Sequence, residues 1–233
     1  MTRRFCGNSF QKLLAIVFLA STLNPQHSMA QTLEGSPASE VLQWTETKQV
    51  EFVTSVMDGV FPEKDGDQFG ILLINRSALV IPLLERRVEE ELSKSTPSEQ
   101  FIEIATSMIA FAGDSQALLA IGKLIQIDET RFGRLVDRTM DNALTFRNPF
   151  TVAYAGVEIG NHTVSVKIGA WAETVLRSRR MQRLFAEAVV ERYGRVPSEN
   201  ELAVDSLTTL LKPNPTLLQS LKAFADEAFA RRK

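Results

Sequence analysis

Tyr154, Glu158 and His162 stand four residues apart, a spacing that would place all three on one face of a continuous helix. A histidine beside a carboxylate can serve as a general base. Gly160 and Asn161 intervene, however, and such a pair ends a helix, so His162 reads as a loop or cap residue. Arg177, Arg179, Arg180 and Arg183 form a basic cluster that could hold an anionic ligand or an acidic partner. The plainer reading is a solvated helix junction, with these arginines paired to Glu173 and Glu187. Residues 85–91 (ERRVEEE) likewise read as an exposed helix face with i,i+4 ion pairs rather than a metal site. Asn161-His162-Thr163 and Asn75-Arg76-Ser77 match the N-glycosylation sequon, which matters only in a eukaryotic source. Trp44 and Trp171 sit among helical apolar positions and read as core. No G-x-S-x-G elbow, phosphate-binding glycine loop or Asp-rich cation loop is present. The sequence therefore assigns no catalytic, cofactor-binding or metal-binding residue.

The start of the chain has a different character. Arg3, Arg4 and Lys12 make it basic, residues 13–20 (LLAIVFLA) form an uncharged apolar run, and Ser28-Met29-Ala30 puts small residues, Ser28 and Ala30, at the two positions a signal peptidase reads. The run is shorter than the roughly 18 residues a membrane span needs. The pattern predicts a cleavable export signal over 1–30, cut before Gln31. Phe5, Cys6 and Gly7 do not supply the apolar pair of a twin-arginine signal. Cys6 precedes the apolar run, which is the wrong side for lipidation. The mature protein is thus expected to be periplasmic or secreted, with no stable membrane span.

Cleavage would change the chemistry available. It removes three of the 26 Lys and Arg and none of the 28 acidic residues, so the formal charge goes from −2 to −5. An acidic chain is a poor partner for nucleic acid. The only cysteine and one of two histidines, His27, leave with the signal. The mature chain can then form no disulfide, and His162 is its sole histidine.

After a polar leader at 31–39, residues 40–233 read as a single helical domain. The 3.6-residue apolar rhythm predicts helices over 38–60, 69–94, 97–112, 115–127, 129–146, 150–159, 163–178, 180–193, 198–211 and 215–231. Pro62 and Gly66 mark 61–68 as a loop. In 69–94 Asn75 and Arg76 interrupt the apolar run and Pro82 is expected to kink a helix, so the segment reads as one buried helix or two abutting helices rather than a membrane span. Residues 157–168 (VEIGNHTVSVKI) leave a choice between helix and β-hairpin, because 163–168 alternates as a strand does.

The chain also carries a faint internal spacing of 47. Gly66-Asp67, Gly113-Asp114 and Gly160-Asn161 precede Ile74, Ile121 and Ile168 at equal offsets, with Gly122 and Gly169 following the last two. Leu72, Leu119 and Val166 fall in the same register. The texture of 109–136 and 155–176 resembles HEAT-type repeats, whose period is roughly 40–47 residues. The resemblance spans about residues 60–178 and lacks the proline usual after the Gly-Asp step. It implies an all-α fold of stacked antiparallel helical hairpins, a HEAT-like solenoid; without it the reading is an irregular helical bundle. The expected function is an exported protein-binding or scaffold module of the cell envelope, with another protein as partner. The alternatives are a helical hydrolase working with carboxylates alone and a carrier of small molecules or lipid.

Overall fold

The computed structural model describes residues 37–205, 207 and 214–232, so the predicted signal over 1–30 lies outside the described residues. All regular structure among the described residues is helical, with no strand. The alternating segment 163–168 is helix too: Asn161 caps it by accepting the Val164 N–H at 3.1 Å. Val164 and Ile168 are both buried there, at helical spacing. The chain forms two compact units, one up to Ala112 and one from Gly113 on.

The first unit contains the 3-10 turn η1 (Pro37–Gln43), α1 (Glu46–Asp58), the short 3-10 turn η2 (Glu63–Asp65), α2 (Gly66–Asn75), α3 (Ser77–Leu92) and α4 (Glu99–Phe111). Its core gathers Val53, Phe69, Leu72, Leu84, Val88 and Ile102. Of the two readings of 69–94, two abutting helices is the one found: α2 and α3 meet at 112° at the Asn75-Arg76 interruption, and no break falls at Pro82. Arg76 donates its N–H to the Leu72 carbonyl at 2.7 Å and accepts from Val80 at 3.0 Å, so one residue closes one helix and opens the next. The Asn75 amide takes the Ile71 carbonyl at 2.9 Å, competing with the helical ladder. Pro82 lies one turn inside α3 on an exposed position, where its missing N–H is tolerated. No single helix among the described residues is long and apolar enough to cross a membrane.

Glu91 corrects the reading of 85–91 as a wholly exposed face. It is only 5 % exposed, accepts the Ser98 N–H at 2.7 Å and pairs with Lys94, which clamps the α3–α4 connection. The Lys94 bond, then the Ser98 N–H, holds its carboxyl below the usual range. Arg87 pairs with Glu90 and also reaches back to Asp58 on α1 at 3.3 Å.

The second unit runs α5 (Ser115–Ile127), α6 (Glu129–Phe132), α7 (Arg134–Phe146), α8 (Pro149–Glu158), α9 (His162–Val175), α10 (Arg179–Tyr193), α11 (Glu199–Val204) and α12 (Pro215–Ala230). Its registers fix helix directions. Gly156 meets Leu118 while Gly122 meets Ile159, so α8 runs parallel to α5. Phe150 meets Phe185 and Glu158 meets Arg192, so α10 runs parallel to α8. Thr163 meets Glu129 and Lys167 meets Gly133 and Asp137, so α9 runs parallel to α6 and α7. Forward helices thus stack on forward helices, and return helices on return helices. The bonds Glu129–Thr163 and Glu158–Arg192 both step 34 residues.

The positions of the 47-residue spacing do not fall on equivalent places in the helices. Gly113-Asp114 opens the forward helix α5, whereas Gly160-Asn161 opens the return helix α9. Gly66-Asp67 forms the first two residues of α2, where Asp65 holds the N-cap position without a side-chain capping bond, and Gly66 has no positive φ. Leu119 and Val166 are exposed while Leu72 is buried. Three expected helices are shorter than read. Residues 38–60 divide into η1 and α1, with Thr45 capping α1 by accepting the Lys48 N–H. Residues 129–146 break at Gly133, where a side chain would meet the Glu129 carbonyl at 2.8 Å. The helix expected over 198–211 ends at Val204, because Asp205 turns extended and accepts the Leu207 N–H at 3.1 Å; residues 206 and 208–211 lie outside the described residues.

Gly113 and Gly160 separate two reasons for glycine. Both have positive φ, but Gly160 faces open space, whereas a Cβ on Gly113 would lie 2.8 Å from the Asn142 and Ala143 backbone. Gly160→Ala should cost about 1–2 kcal/mol, the left-handed penalty alone. Gly113→Ala should cost about 1–3 kcal/mol more, for the steric clash. Urea unfolding of the two variants checks this, and equal costs would contradict the close approach at Gly113.

Candidate functional site

Apart from Asp141 on α7, raised by burial and by Asp137, the perturbed side chains among the described residues of the second unit gather where α8, α10 and the segment after α11 meet. Asn148 starts this arrangement. Its oxygen caps α8 by accepting the Phe150 N–H at 3.0 Å, and its amide donates to the Leu184 carbonyl on α10 at 2.9 Å. Pro149 in the first turn needs no donor partner there. Phe150 then packs edge-on to Phe185 with ring centres 5.2 Å apart. One turn on, the Tyr154 ring lies 6.2 Å from Phe185, and one turn further Glu158 emerges at the surface. The stripe 150, 154, 158 therefore faces α10 by simple helical spacing.

Arg192 closes the site from α10. Its guanidinium lies 4.8 Å from the Tyr154 ring centre and donates to Glu158 at 2.6 Å. The Glu158 bond raises its pKa, which keeps it cationic. The side chain is nevertheless 39 % exposed. Beneath it, the Tyr154 hydroxyl is buried with no hydrogen bond of ordinary geometry. Burial, and then the nearby Asp205 carboxylate, push the Tyr154 pKa far up, so the phenol stays neutral. Asp205 is itself 4 % exposed and accepts from the Tyr193 hydroxyl at 3.2 Å. Burial and Asp205 raise the Tyr193 pKa as well. Next to this group, Arg195 and Glu201 form a forked pair, with one arm at 3.0 Å. The Arg195 bond, and then the Ser198 N–H and hydroxyl, hold the Glu201 carboxyl at about 2.

Of the three residues spaced for a general base, the structure joins two. Tyr154 and Glu158 share α8, while His162 begins α9 on an exposed position beyond the Gly160 turn. The partners that complete the group, Arg192, Tyr193 and Asp205, were not singled out in the sequence. Their link to α8 spans 34 residues or more, and no local pattern announces it. The arginine cluster at 177–183 is exposed as expected, but its partners differ. Glu187 pairs with Arg231, and Arg183 reaches Glu227 at 3.9 Å. Trp171 packs on Phe150 at 5.4 Å and Trp44 on Phe52 at 5.5 Å; both indole N–H groups are buried without a partner. The sequon amides of Asn75 and Asn161 are committed internally, to Ile71 and to Gly122. Among the described residues no trio of His, Cys, Asp or Glu side chains is grouped to hold a metal ion.

The arrangement offers two neutral phenols, a cation fixed on an aromatic face, and carboxylates engaged by neighbours. Such a set orients and holds; it presents the paired guanidinium groups of Arg192 and Arg195 to solvent. Comparison with protein-family models, with curated proteins and with solved structures returns no match.

Two outcomes test the geometry. Tyr154→Phe removes a buried, unpaired hydroxyl, so stability should stay level or rise by about 1 kcal/mol; a clear loss in thermal or urea unfolding would mean the hydroxyl is bonded. Glu201 has its carboxyl depressed from 4.5 to about 2, so its stabilising pair is fully present above pH 4.5 and is lost as pH falls toward 2. Glu201→Gln should flatten the stability profile in that window and leave the slope above it unchanged.

Proposed function

We propose that the protein is a partner-binding helical module that works outside the cytoplasm, as a protein-binding or scaffold component of the cell envelope. The observation that carries the reading is Arg192. Its guanidinium is held on the Tyr154 ring and by Glu158 while more than a third of the side chain meets solvent. An arginine fixed before binding loses little side-chain entropy on contact, and arginine is over-represented among the residues that dominate interfaces. The parallel stacking of forward helices supports the same reading. Two-helix solenoids with a period near 34 residues expose extended faces to partners. The basic and apolar start of the chain, followed by the small residues Ser28 and Ala30, supports export.

The experiment is affinity capture of the mature 31–233 chain from its native envelope fraction, with wild type and Arg192→Ala side by side. The wild type should retain a reproducible protein partner. The variant should bind it about thirtyfold more weakly, the factor expected for an interfacial arginine worth about 2 kcal/mol. Absence of any partner, or equal retention by both proteins, would count against this function.

A further inference from the structure

The start of α10 carries a second feature, at the opposite end of that helix from Arg192. Residues 174–186 contain Arg177, Arg179, Arg180 and Arg183 and no acidic residue. Residues 206–225 likewise contain no Asp or Glu. The fold lays described parts of these two acid-free stretches side by side. Gln182 accepts from the Ser220 hydroxyl at 2.7 Å, and the guanidinium groups of Arg179 and Arg183 lie 5.8 and 5.1 Å from the Phe224 ring centre. Arg177 and Arg180 are exposed and make no ion pair. The carboxylates that face the patch are few. Glu227 lies 3.9 Å from Arg183, and Asp226 is taken by Lys222 at 3.0 Å. Glu187 is taken by Arg231, and Glu173 makes no pair. On a chain with net charge −2, cation is thus concentrated in one place and left mostly unneutralised.

Helix polarity makes this arrangement costly for the protein alone. Arg179 and Arg180 occupy the first turn of a 15-residue helix, where the backbone already presents positive charge, and that turn holds no acidic residue. A charge placement that opposes the local field, without a compensating pair, points to a compensating anion from outside. Guanidinium matches phosphate oxygens in a two-pronged geometry. The cations spread across an exposed surface, and the aromatic ring among them, Phe224, is buried and offers no apolar anchor to a protein partner. That favours many phosphates presented on a surface over one captured protein.

We propose that the Arg177, Arg179, Arg180 and Arg183 patch binds phosphate groups presented by an anionic lipid surface. The test is flotation of the full chain with vesicles of equal parts phosphatidylglycerol and phosphatidylcholine, against vesicles of phosphatidylcholine alone. Arg177→Gln/Arg180→Gln is the principal variant, because neither side chain has an internal partner to lose; circular dichroism confirms its fold. Residues 1–30 are common to both proteins, so the difference between them reads the patch. The wild type should prefer the anionic vesicles, weaken as salt rises, and exceed the double variant by roughly thirtyfold in affinity, the factor for two surface arginines. Equal binding of wild type and variant to the anionic vesicles would overturn the proposal. So would tighter, arginine-dependent binding to an oligoglutamate peptide, which would assign the patch to an acidic protein. Saturable binding of inorganic phosphate without vesicle binding would also overturn it, and assign the patch to a free ion.

Discussion

The seating of α8 on α10, through Phe150 against Phe185, decides where the charged groups of the second unit end up. Asn148 sets the height of that contact by capping α8 and bonding α10 with the same amide. Once the first turn is placed, helical periodicity delivers Tyr154 and then Glu158 to the same face. Close approach on the other side is required for this to work. Gly156 has no Cβ, and one built there would sit 2.4 Å from Ile168 and 2.6 Å from Leu118. The small residue lets α8 sink against α5 and α9, which leaves its third side for α10. The site around Arg192 is therefore a consequence of how three helices share α8.

Helix starts were the most legible part of the sequence, because each carries a local chemical mark. Ser98, Asp114, Asn148, Asn161, Ser198 and Asn214 all accept a backbone N–H of the first turn, and Pro149 and Pro215 follow their caps. The interruptions were less legible. Asn75 and Arg76 were visible as an interruption of the apolar run, but not that the bend would fall there rather than at Pro82; the Asn75 amide donates to a carbonyl of the ladder. Val60 and Phe61 both adopt positive φ, where glycine would be expected. The nearest glycine, Gly59, sits one residue early, and the Phe61 ring is instead fixed by Phe69 and Phe101. Packing overrides local preference there, and no window of sequence shows it.

The candidate site was legible only in half. Tyr154 and Glu158 share a face by spacing alone, and the turn at Gly160 correctly separated His162 from them. Asp205 was hidden because its role depends on a helix that ends sooner than periodicity suggests. Its side chain accepts the Leu207 N–H, which opens the chain at Asp205 and lets the carboxylate reach Tyr193. The 47-residue spacing misled for a related reason. Turn chemistry is alike at the starts of forward and return helices, so Gly-Asp and Gly-Asn mark both without distinguishing them.

Charge order selects the direction of the last pair of helices. Along α10 the sequence presents Arg183, Glu187 and Glu191, and along and just after α12 it presents Glu227, Arg231 and Arg232. The parallel register sets Arg183 against Glu227, Glu187 against Arg231 and Glu191 against Arg232, at 3.9, 3.0 and 4.0 Å. An antiparallel register would set Arg183 near Arg231 and Glu191 near Glu227. Each exposed pair is worth only about 0.2–1 kcal/mol, but reversing direction would exchange attraction for repulsion at the two outer positions. The apolar contact between the helices is built from Ala186, Val190, Phe224, Ala225 and Ala228. Three of those five are alanines, which fit many rotations, so this seam discriminates weakly and the charges carry the choice. The same order explains why the cations at the start of α10 stay unmatched. In the parallel register they meet the early turns of α12, and Asp226 is the first carboxylate that α12 carries.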